Sequence, residues 1–394
     1  MRTVEEHRDA VLALVRPLPQ VSVRLSDALD AALAVDVVAD AGLPRFDNSA
    51  MDGYAVHVDD ITATPSVLAV SADVPAGAWP GPLTAGTAAR IMTGAALPPG
   101  ADAVIPVELT DGGTSDVRLD QSVSRGANIR RAGEDVQPGT RVLAAGTALT
   151  PARLGLLASL GVGTVTVRRQ PRVGVLSTGS ELVAVGDVLA EGAIYDSNGP
   201  LLTAAVAAAG ADPVLAGPVP DDEEIAAEAL RTLAGEVDLL VTSGGISAGA
   251  FEVVKDIFRG DGDVTFVKVA MQPGMPQGCG TFAGTPLLTV PGNPVSAFVS
   301  FEVFVRPVIR RLAGHAVLDR PVRRGVLATG VDRRPTKQQY RRARWLPDGT
   351  VHLVGGTGSH LLHALAHADA LLVVPPGDGA LAAGATVDVI DLGG

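Results

Sequence analysis

The hydrophobic positions between Pro171 and Gly314 follow two alternating patterns. Continuous apolar runs such as "RVGVLS", "DPVLAG", "VDLLVTS" and "VTFVKVA" are separated by stretches with helical spacing: "GPLLTAAVAAAGA", "DDEEIAAEALRTLAG" and "FEVVKDIFRG". Short continuous apolar runs are typical of strands that are buried on both faces. Their alternation with helices predicts a three-layer α/β domain with a parallel-dominated sheet. The acidic first turn of the second helix and Gly235 at its end agree with this prediction.

The rest of the chain has a different texture. Up to about Ala41 the spacing of Val4, Val11, Leu12 and Val15 predicts helix, and "VRLSDALDAALAVDVVAD" predicts a second helix with Ser26 as its N-cap. Short apolar runs such as "AARIM" and "DAVIPVE" alternate with Gly/Pro clusters from about Pro44 to Val136, which indicates a β-rich domain. The stretch "PGTRVLAAGTALTPARLGLLASLGVGTVTV" predicts a strand, a turn and a helix that return to the first segment. Strands and turns resume from Pro321.

The chain length predicts two to four domains, and these patterns distinguish four regions. The second domain is then an insertion into the first. The predicted boundaries are 1–43 plus 137–170 for an N-terminal α+β domain, 44–136 for the inserted β-rich domain, 171–317 for the α/β domain and 318–394 for a C-terminal β-domain.

Composition excludes several classes of protein. The 394 residues are 47% hydrophobic and only 3% aromatic, so the core must consist mainly of Ala, Val and Leu. A net charge of −12 disfavours nucleic-acid binding, and Cys279, the single cysteine, permits neither a disulfide framework nor a cysteine zinc site. No signal peptide and no apolar run of membrane-spanning length is present, so we expect a cytoplasmic protein without a membrane partner.

The charge is not uniform, because "VDRRPTKQQYRRARW" (331–345) is a local basic cluster. It is interpreted either as a solvated, charged hairpin or as an anion-facing surface.

Small, glycine-rich and hydroxyl-bearing loops follow the predicted strands. They are "STGSEL", "YDSN", "VPDD", "TSGGISAG", "QPGMPQG" and "VPGNPVSA". Because ligands bind at the carboxyl ends of parallel strands, and bare backbone amides attract anions, these loops predict a phosphate-bearing ligand. The Walker, dinucleotide-binding and H-E-x-x-H motifs are absent.

Each loop also has a purely structural interpretation. Asp221 and Asp196 are placed to cap helices, and Asn293, Gly244 and Gly245 are suited to turns. Taken together, however, six such loops favour a site. Three carboxylates, those of Glu181, Asp221 and Glu252, would repel a phosphate unless Mg²⁺ intervened.

Seven motifs occur in order: "NSAMDGYAV", "RIMTGA", "GEDV", "STGSELV", "IYDSN", "TSGGISAG" and "PGNPVSA". Between about Arg45 and Ala297 the chain thereby resembles the molybdopterin molybdenumtransferases, the family of MoeA and the gephyrin E-domain. The resemblance implies a homodimer of elongated subunits, an α/β domain of the molybdopterin-binding type and a small C-terminal β-barrel-like domain. It implies cleavage of adenylated molybdopterin with Mg²⁺, insertion of molybdenum from molybdate, and release of AMP. The site would lie between the α/β domain of one subunit and the inserted domain of the other. The resemblance also implies contacts with the molybdopterin adenylyltransferase and with downstream cofactor-handling proteins.

The resemblance assigns roles residue by residue. Asp52, Thr93 and Asp135 would face the cleft. Glu181, Asp221 and Glu252 would manage metal and phosphate, although the family commonly has Asp at the third position. Lys268 would supply a cation, and Ser296 would help to bind molybdate. The remaining predicted ligand-binding residues are Ser177, Thr178, Gly179, Asp196, Ser197, Asn198, Ser243, Gly244, Gly245, Ser247, Gly249, Pro273, Gly274, Pro291, Gly292, Asn293, Pro294 and Arg342.

One motif departs from the family. Where the family has K-P-G-K-P, this chain has "QPGMP", so Gln272 and Met275 replace two lysines expected to hold molybdate. Losing two cations should weaken an anion site. We hypothesise that Lys337, Arg341 and Arg342 of "KQQYRR" supply the missing charge. The alternative is a non-catalytic pterin-binding or scaffolding paralogue; a generic phosphosugar or nucleotide transferase is a third interpretation.

Overall fold

The computed structural model describes residues 1–244 and 262–393. The chain forms two compact units. The first contains Met1–Ala34, Gly146–Thr150 and Val165–Gly394, and the second contains Val35–Ala145 and Pro151–Thr164. The four domain boundaries drawn from the sequence stay a prediction.

The α-helices in the described ranges are short. They are Val4–Ala13 (α1), Pro151–Ser159 (α2), Asn198–Ala208 (α3), Glu223–Ala234 (α4), Pro294–Ser300 (α5), Arg306–Leu312 (α6) and Leu362–Ala366 (α7), with one π-helical turn, Phe301–Val305, between α5 and α6. Helix α1 begins at a capping box, because Thr3 and Glu6 bond reciprocally to each other's backbone N–H. None of the helices described has the length and apolar character that a membrane crossing requires.

The strands within residues 1–244 and 262–393 lie in eight sheets. In chain order they are Gln20–Arg24 (β1), Val37–Val38 (β2), Asn48–Ser49 (β3), Gly53–Val56 (β4), Ser66–Val74 (β5), Thr87–Ile91 (β6), Ala103–Pro106 (β7), Asp116–Leu119 (β8), Ile129–Arg130 (β9), Arg141–Leu143 (β10), Thr164–Arg168 (β11), Arg172–Thr178 (β12), Leu182–Val183 (β13), Ile194–Tyr195 (β14), Asp212–Val219 (β15), Leu239–Ser243 (β16), Gly262–Lys268 (β17), Met271–Gln272 (β18), Pro276–Phe282 (β19), Thr285–Val290 (β20), Val322–Leu327 (β21), Val331–Asp332 (β22), Gln338–Trp345 (β23), Thr350–Leu353 (β24), Ala370–Val374 (β25), Ala380–Leu381 (β26) and Thr386–Asp391 (β27).

The main α/β sheet of the first unit has six strands in the order β15-β12-β16-β20-β19-β17. Neighbouring strands from β15 to β20 are parallel. Alternate residues of its central strands point to opposite faces. Val175 and Val241 join the core around α3 and α5, and Leu176 and Leu240 join the core around α4. The predicted three-layer α/β domain with a parallel-dominated sheet is therefore confirmed.

One edge of this sheet is antiparallel. Strand β19 pairs antiparallel with both β17 and β20. Strands β19 and β20 are joined by Ala283 and Gly284, whose φ values are 47° and 81°. Two consecutive positive φ values match a tight hairpin turn, which can connect only antiparallel strands.

The C-terminal part of the first unit is a closed barrel. Strands β23, β24, β21, β27 and β25 pair in this order, and a further pairing of β23 with β25 closes the ring. Its interior contains Leu327, Ala343, Val351, Leu372 and Val389. The predicted small β-barrel-like domain is confirmed.

The second unit is β-rich between residues 44 and 136, as predicted. Its main sheet has the order β7-β4-β6-β5-β8. The side chains of Tyr54, Val56 and Ile105, which belong to this sheet, are fully buried in a core on one of its faces.

The predicted second N-terminal helix is wrong. The segment forms β1, a 3₁₀ turn at Leu25–Asp27 and β2, and Ser26 caps no helix, because its hydroxyl donates to Asp27 Oδ1. Leu33 pairs with Val167 across a long sequence separation. Such pairing overrides the helical preference of an Ala- and Leu-rich segment.

Candidate functional site

Hydroxyl groups gather where the parallel strands end. Ser177 at the end of β12 and Ser243 at the end of β16 are both buried, and their Oγ atoms lie 3.2 Å apart. The neighbouring Thr178 has a buried Oγ1 with no partner among the described residues. Because a buried polar atom without a partner is costly, this hydroxyl is available for a ligand.

The start of α3 is tied to the loop after β20. Asp196 Oδ1 accepts hydrogen bonds from the backbone N–H of Asn198 (3.0 Å) and Gly199 (2.9 Å), so Asp196 caps this helix, while Ser197 at the formal N-cap position makes no side-chain cap. Asn198 Nδ2 donates to Gly292 O at 2.6 Å. The Oδ1 of Asn198 is buried without a partner in the described part of the chain, so it is a second acceptor free for a ligand.

Glycine is required where the loops meet by their backbones. Gly244 has φ +98°, and a Cβ there would lie 2.3 Å from Thr178 O. A Cβ on Gly292 would lie 3.4 Å from Gly244 Cα. The predicted residues Gly245, Ser247, Gly249 and Glu252 lie outside the described ranges.

Two carboxylates follow β12 and β15. Asp221 N donates to Ser180 Oγ at 3.0 Å, and Ser180 N donates to Asp221 Oδ2 at 3.4 Å, so Asp221 lies beside the residue that precedes Glu181. The cap of α4 is Asp222, not Asp221, because Asp222 Oδ1 accepts from Ile225 N at 3.0 Å. Asp221 is therefore not used for capping.

The carboxylates of Glu181 and Asp221 can supply only some of the ligands that a metal ion requires. Within residues 1–244 and 262–393, no group of three or more His, Cys, Asp or Glu side chains could hold an ion. Glu181 and Asp221 are both exposed and supply carboxylate oxygens from adjacent loops. One or two carboxylates completed by substrate phosphates is a common arrangement for Mg²⁺. The donor set fits Mg²⁺ on this basis.

The "QPGMP" loop lines a polar cavity of about 440 Å³ in the first unit. The opposite wall is the turn from Arg334 to Lys337, and Ser296 and Thr357 also line the cavity. Lys337 Nζ lies 3.6 Å from Met275 Sδ. A lysine ammonium therefore occupies space beside a position where the family has its own lysine.

Hydrogen bonds from a buried side chain fix the backbone of the "QPGMP" loop. The buried Gln277 donates through Nε2 to Gly274 O (2.7 Å) and to Ser300 Oγ (2.6 Å). Gly274 has φ +92°, and a Cβ there would lie 2.9 Å from Ser300 Oγ. The position of Gln272 and Met275 is thus set by hydrogen bonds that do not involve their side chains.

Arg342 has a different environment from Lys337. It is buried, and its guanidinium donates to Gly358 O at 3.0 Å, to Val354 O at 3.4 Å and to Gly356 O. Burial lowers the pKa of Arg342 below its usual range. Arg341 and Arg342 line a small crevice that shares Gln272, Pro273 and Thr357 with the polar cavity. Because its guanidinium already donates to three loop carbonyls, Arg342 has fewer N–H donors left for an anion, and its role in the anion site stays a prediction.

The predicted residues of the second unit form one pair. Thr93 donates to Asp52 Oδ1 through its backbone N–H (2.7 Å) and its hydroxyl (2.9 Å), and these bonds hold the pKa of Asp52 below its usual value. The Asp135 carboxylate is exposed and makes no hydrogen bond or ion pair with the residues described. In the first unit, Lys268 at the end of β17 is also exposed and does not line the polar cavity.

Comparison with known proteins identifies the family. The description "MoeA N-terminal region (domain I and II)" matches residues 2–161, "Probable molybdopterin binding domain" matches 174–311, and "MoeA C-terminal region (domain IV)" matches 324–392. Molybdopterin molybdenumtransferase 2 of Mycobacterium tuberculosis is 48% identical over 406 residues, covering 100% of both chains. The chain belongs to the molybdopterin molybdenumtransferases.

Other relatives agree. The molybdopterin molybdenumtransferase of Haemophilus influenzae is 36% identical and covers 99% of this chain and 98% of its own. The crystal structure of the molybdopterin biosynthesis moeA protein from Pyrococcus horikoshii OT3 matches with a TM-score of 0.85 and 27% identity, over 99% of this chain and all of that one.

The sequence analysis did not predict all the residues that line the polar cavity. Arg334, Thr357 and Ser359 line it, and none was predicted. Arg334 belongs to the basic cluster 331–345, so the cluster's anion-facing interpretation was the available signal. Thr357 and Ser359 carry no such signal, because they are small polar residues in a loop like many others.

Proposed function

We propose that this chain is a molybdenum insertase. It binds adenylated molybdopterin, cleaves the adenylate, inserts molybdenum derived from molybdate into the pterin dithiolate and releases AMP. Family membership supports the reaction class, and the polar cavity of about 440 Å³ is the observation that supports an active site in this particular chain.

The polar cavity is suited to a tetrahedral dianion. Arg334 and Lys337 bring two positive charges, and Ser296 brings a hydroxyl from the first turn of α5. Gln272 replaces a lysine with a neutral amide donor. Charge-assisted hydrogen bonds are stronger than neutral ones, so the two cations rather than Gln272 provide most of the attraction. Both cations come from the turn 334–337, which we call the cationic wall of the polar cavity.

The carboxyl end of the main sheet is suited to the adenylated substrate. Thr178 Oγ1 offers a donor or an acceptor, and Asn198 Oδ1 offers an acceptor, both buried and unpaired among the described residues. The close backbone approach at Gly244 leaves no side chain in the way. Small loops of this kind admit a phosphate to backbone N–H groups.

Glu181 and Asp221 are the residues that would hold Mg²⁺. When bound, Mg²⁺ supplies positive charge to the phosphoanhydride that is cleaved. The reciprocal hydrogen bonds between Ser180 and Asp221 keep the two loops, and hence the two carboxylates, together.

We carry over two further properties from the family resemblance: a homodimer, and contacts with the molybdopterin adenylyltransferase and downstream cofactor-handling proteins. The cytoplasmic location expected from the sequence is part of the same proposal. Asp52 and Thr93 are proposed as a catalytic pair, with Asp135 and Lys268 as further catalytic residues. Sedimentation equilibrium of the purified chain measures the oligomeric state directly.

The alternative function is a non-catalytic molybdopterin-binding or scaffolding paralogue. The replacement of two lysines by Gln272 and Met275 is the observation that favours it. Both functions keep the pterin-binding loops, so substrate binding alone does not separate them.

Reconstitution separates the two functions. Purified chain is mixed with adenylated molybdopterin, Mg²⁺ and molybdate, and two readouts are followed: AMP release and activation of a cofactor-free molybdoenzyme. The insertase predicts both readouts, each dependent on molybdate. Binding of the adenylate without either readout, at any molybdate concentration, would leave the binding paralogue as the function. An Asp221→Asn variant, which keeps the bond to Ser180 but loses charge, serves as the low-activity reference.

A further inference from the structure

A pair of exposed histidines lies at the end of α7, apart from the residues assigned to the substrate or to Mg²⁺. His363 belongs to this helix, and His367 is its C-cap. Residues four apart along a helical turn lie on the same face. The two ring centroids are 4.6 Å apart, with the ring planes at 67°. The two imidazoles are therefore direct neighbours on one surface.

The fold does not use either imidazole. Both side chains are exposed, and neither ring makes a hydrogen bond or ion pair with the residues that the structure describes. Arg344 donates to the backbone oxygen of His367 at 3.0 Å, so this contact fixes the backbone of His367 and not its ring. Because exposed side chains change rotamer within nanoseconds, the two rings can turn their nitrogens toward a shared ligand without displacing a neighbour.

The separation of the rings indicates which ion they suit. A metal–nitrogen bond of about 2.0–2.1 Å places an ion ~3.2 Å from each imidazole centroid. Two centroids 4.6 Å apart then subtend an angle of about 90° at the ion. A tetrahedral ion such as Zn²⁺ would require a centroid separation of about 5.2 Å. The right angle is that of neighbouring positions in a square-planar or tetragonal ion, the geometry of Cu²⁺ and Ni²⁺ with nitrogen and oxygen ligands.

We propose that His363 and His367 form a two-histidine chelate for a divalent transition-metal ion, Cu²⁺ or Ni²⁺. Water or a small exogenous ligand completes the coordination, because no group of three or more His, Cys, Asp or Glu side chains within the described ranges could hold an ion. Mg²⁺ does not compete, since it prefers oxygen ligands. The chelate is distinct from the carboxylates of Glu181 and Asp221, and it does not rest on the proposed function.

Calorimetric titration of the intact, untagged chain tests the proposal. The probes are CuCl₂, NiCl₂ and ZnCl₂, with glycine present as a weak competitor against binding to single imidazoles and to the N-terminal amine. We expect one equivalent of Cu²⁺ or Ni²⁺ to bind, with Cu²⁺ the tighter of the two. His363→Gln and His367→Gln each leave a single ligand. The affinity for Cu²⁺ should then fall at least about tenfold, because the second bond of a chelate forms at a millimolar or higher effective concentration.

A matched control and two further readouts accompany the titration. His352→Gln removes an exposed imidazole of β24 that is not part of the pair, so it should leave every titration unchanged. The electron paramagnetic resonance spectrum of the Cu²⁺-loaded chain should show two nitrogen ligands, and one in either single variant. All variants should unfold at the same temperature without metal. Added Ni²⁺ should raise this temperature in the unaltered chain and much less in the double variant.

Three outcomes would overturn the proposal. The first is Cu²⁺ binding that does not depend on His363 or His367. The second is an equal loss of affinity in His352→Gln, which would indicate adventitious binding to dispersed imidazoles only. The third is Zn²⁺ binding as tightly as Cu²⁺, which would contradict the right-angled geometry. Because no turnover is measured, failure here is distinct from failure of the insertase proposal.

Discussion

The cationic wall of the polar cavity can be tested at Lys337. Its ammonium lies 3.6 Å from Met275 Sδ, and Arg334 is the other cation that lines the cavity in the described part of the chain. Lys337→Ala therefore removes half of the local positive charge. A hydrogen bond to a charged group contributes roughly 1.5–3 kcal/mol. At about 1.4 kcal/mol per factor of ten, half-saturating molybdate should rise ~10- to ~100-fold.

The assay is AMP release at saturating adenylated molybdopterin over a molybdate titration. Two other arginines of β23 serve as references. Arg344→Ala removes an exposed cation that does not line the cavity, so the molybdate requirement should stay unchanged. Arg342→Ala removes donors to three loop carbonyls, so it should reduce the free energy of unfolding by roughly 2–4 kcal/mol. Its effect on the molybdate requirement at low temperature should be smaller than that of Lys337→Ala.

A rescue experiment decides whether charge is the cause. Because Met275 Sδ adjoins Lys337 Nζ, a lysine introduced at 275 in the Lys337→Ala chain places its ammonium close to the lost one. The requirement should then return toward that of the unaltered chain. The difference should also shrink as ionic strength rises from about 0.1 M to about 1 M, where the Debye length falls from about 10 Å to about 3 Å. An unchanged requirement in Lys337→Ala, or no rescue, would refute the reasoning.

Three other predictions follow from the structure. Met275→Lys in the unaltered chain places two ammonium groups side by side, so the midpoint of thermal unfolding without molybdate should fall. Added molybdate should then raise this midpoint more in the variant than in the unaltered chain. Equal molybdate-induced shifts in the two chains would contradict this prediction. Gly244→Ala puts a Cβ 2.3 Å from Thr178 O at φ +98°, so urea unfolding should show a loss of about 1–3 kcal/mol, whereas Gly77→Ala, at φ +88° in open space, should lose less. Burial lowers the pKa of His7 to about 4 against 6.5 in the unfolded chain, so its contribution to stability is complete above pH 6.5 and is lost as the pH falls toward 4. Between pH 7 and pH 5 this amounts to about 2 kcal/mol, and His7→Gln should flatten that part of the pH profile of urea unfolding.

The sequence allowed the layers of the main sheet to be predicted, but not all of its strand directions. Apolar runs such as "VTFVKVA" look the same in parallel and antiparallel strands when both faces are buried. Direction at the β17 edge depends on the two-residue turn at Ala283 and Gly284, and an Ala–Gly pair is a weak turn signal. The N-terminal error has a related cause: the partner of Leu33 is Val167, and no local pattern reveals a pairing at that separation.

Prediction of the site was limited in the same way, because a local sequence pattern does not show what a single side chain contacts. The basic cluster "KQQYRR" predicted nearby charge, and the structure separates its members. Arg341 and Arg342 line a small crevice, whereas Lys337 lines the polar cavity. Arg342 points inward and bonds to loop carbonyls, whereas Lys337 precedes β23 and reaches Met275. A composition of basic residues cannot distinguish a cation that binds a ligand from one that binds its own backbone.

The two walls of the polar cavity differ: the 272–275 wall is fixed in position, and the 334–337 wall carries the positive charge. The 272–275 wall is fixed by Gln277 and Ser300 but carries no charge, so it can define the shape and position of the anion and adds little attraction. The 334–337 wall carries both cations, and its Arg334 side chain is exposed to solvent. In the K-P-G-K-P pattern of the family, two lysines lie on the loop that reads "QPGMP" in this chain. In this chain the fixed backbone and the two cations lie on different loops, so under the proposed function the affinity for molybdate should depend on salt and on the conformation of one turn. Under the proposed function Gln272 and Met275 would retune molybdate binding and are compatible with insertase activity, because Arg334, Lys337 and Ser296 line one cavity.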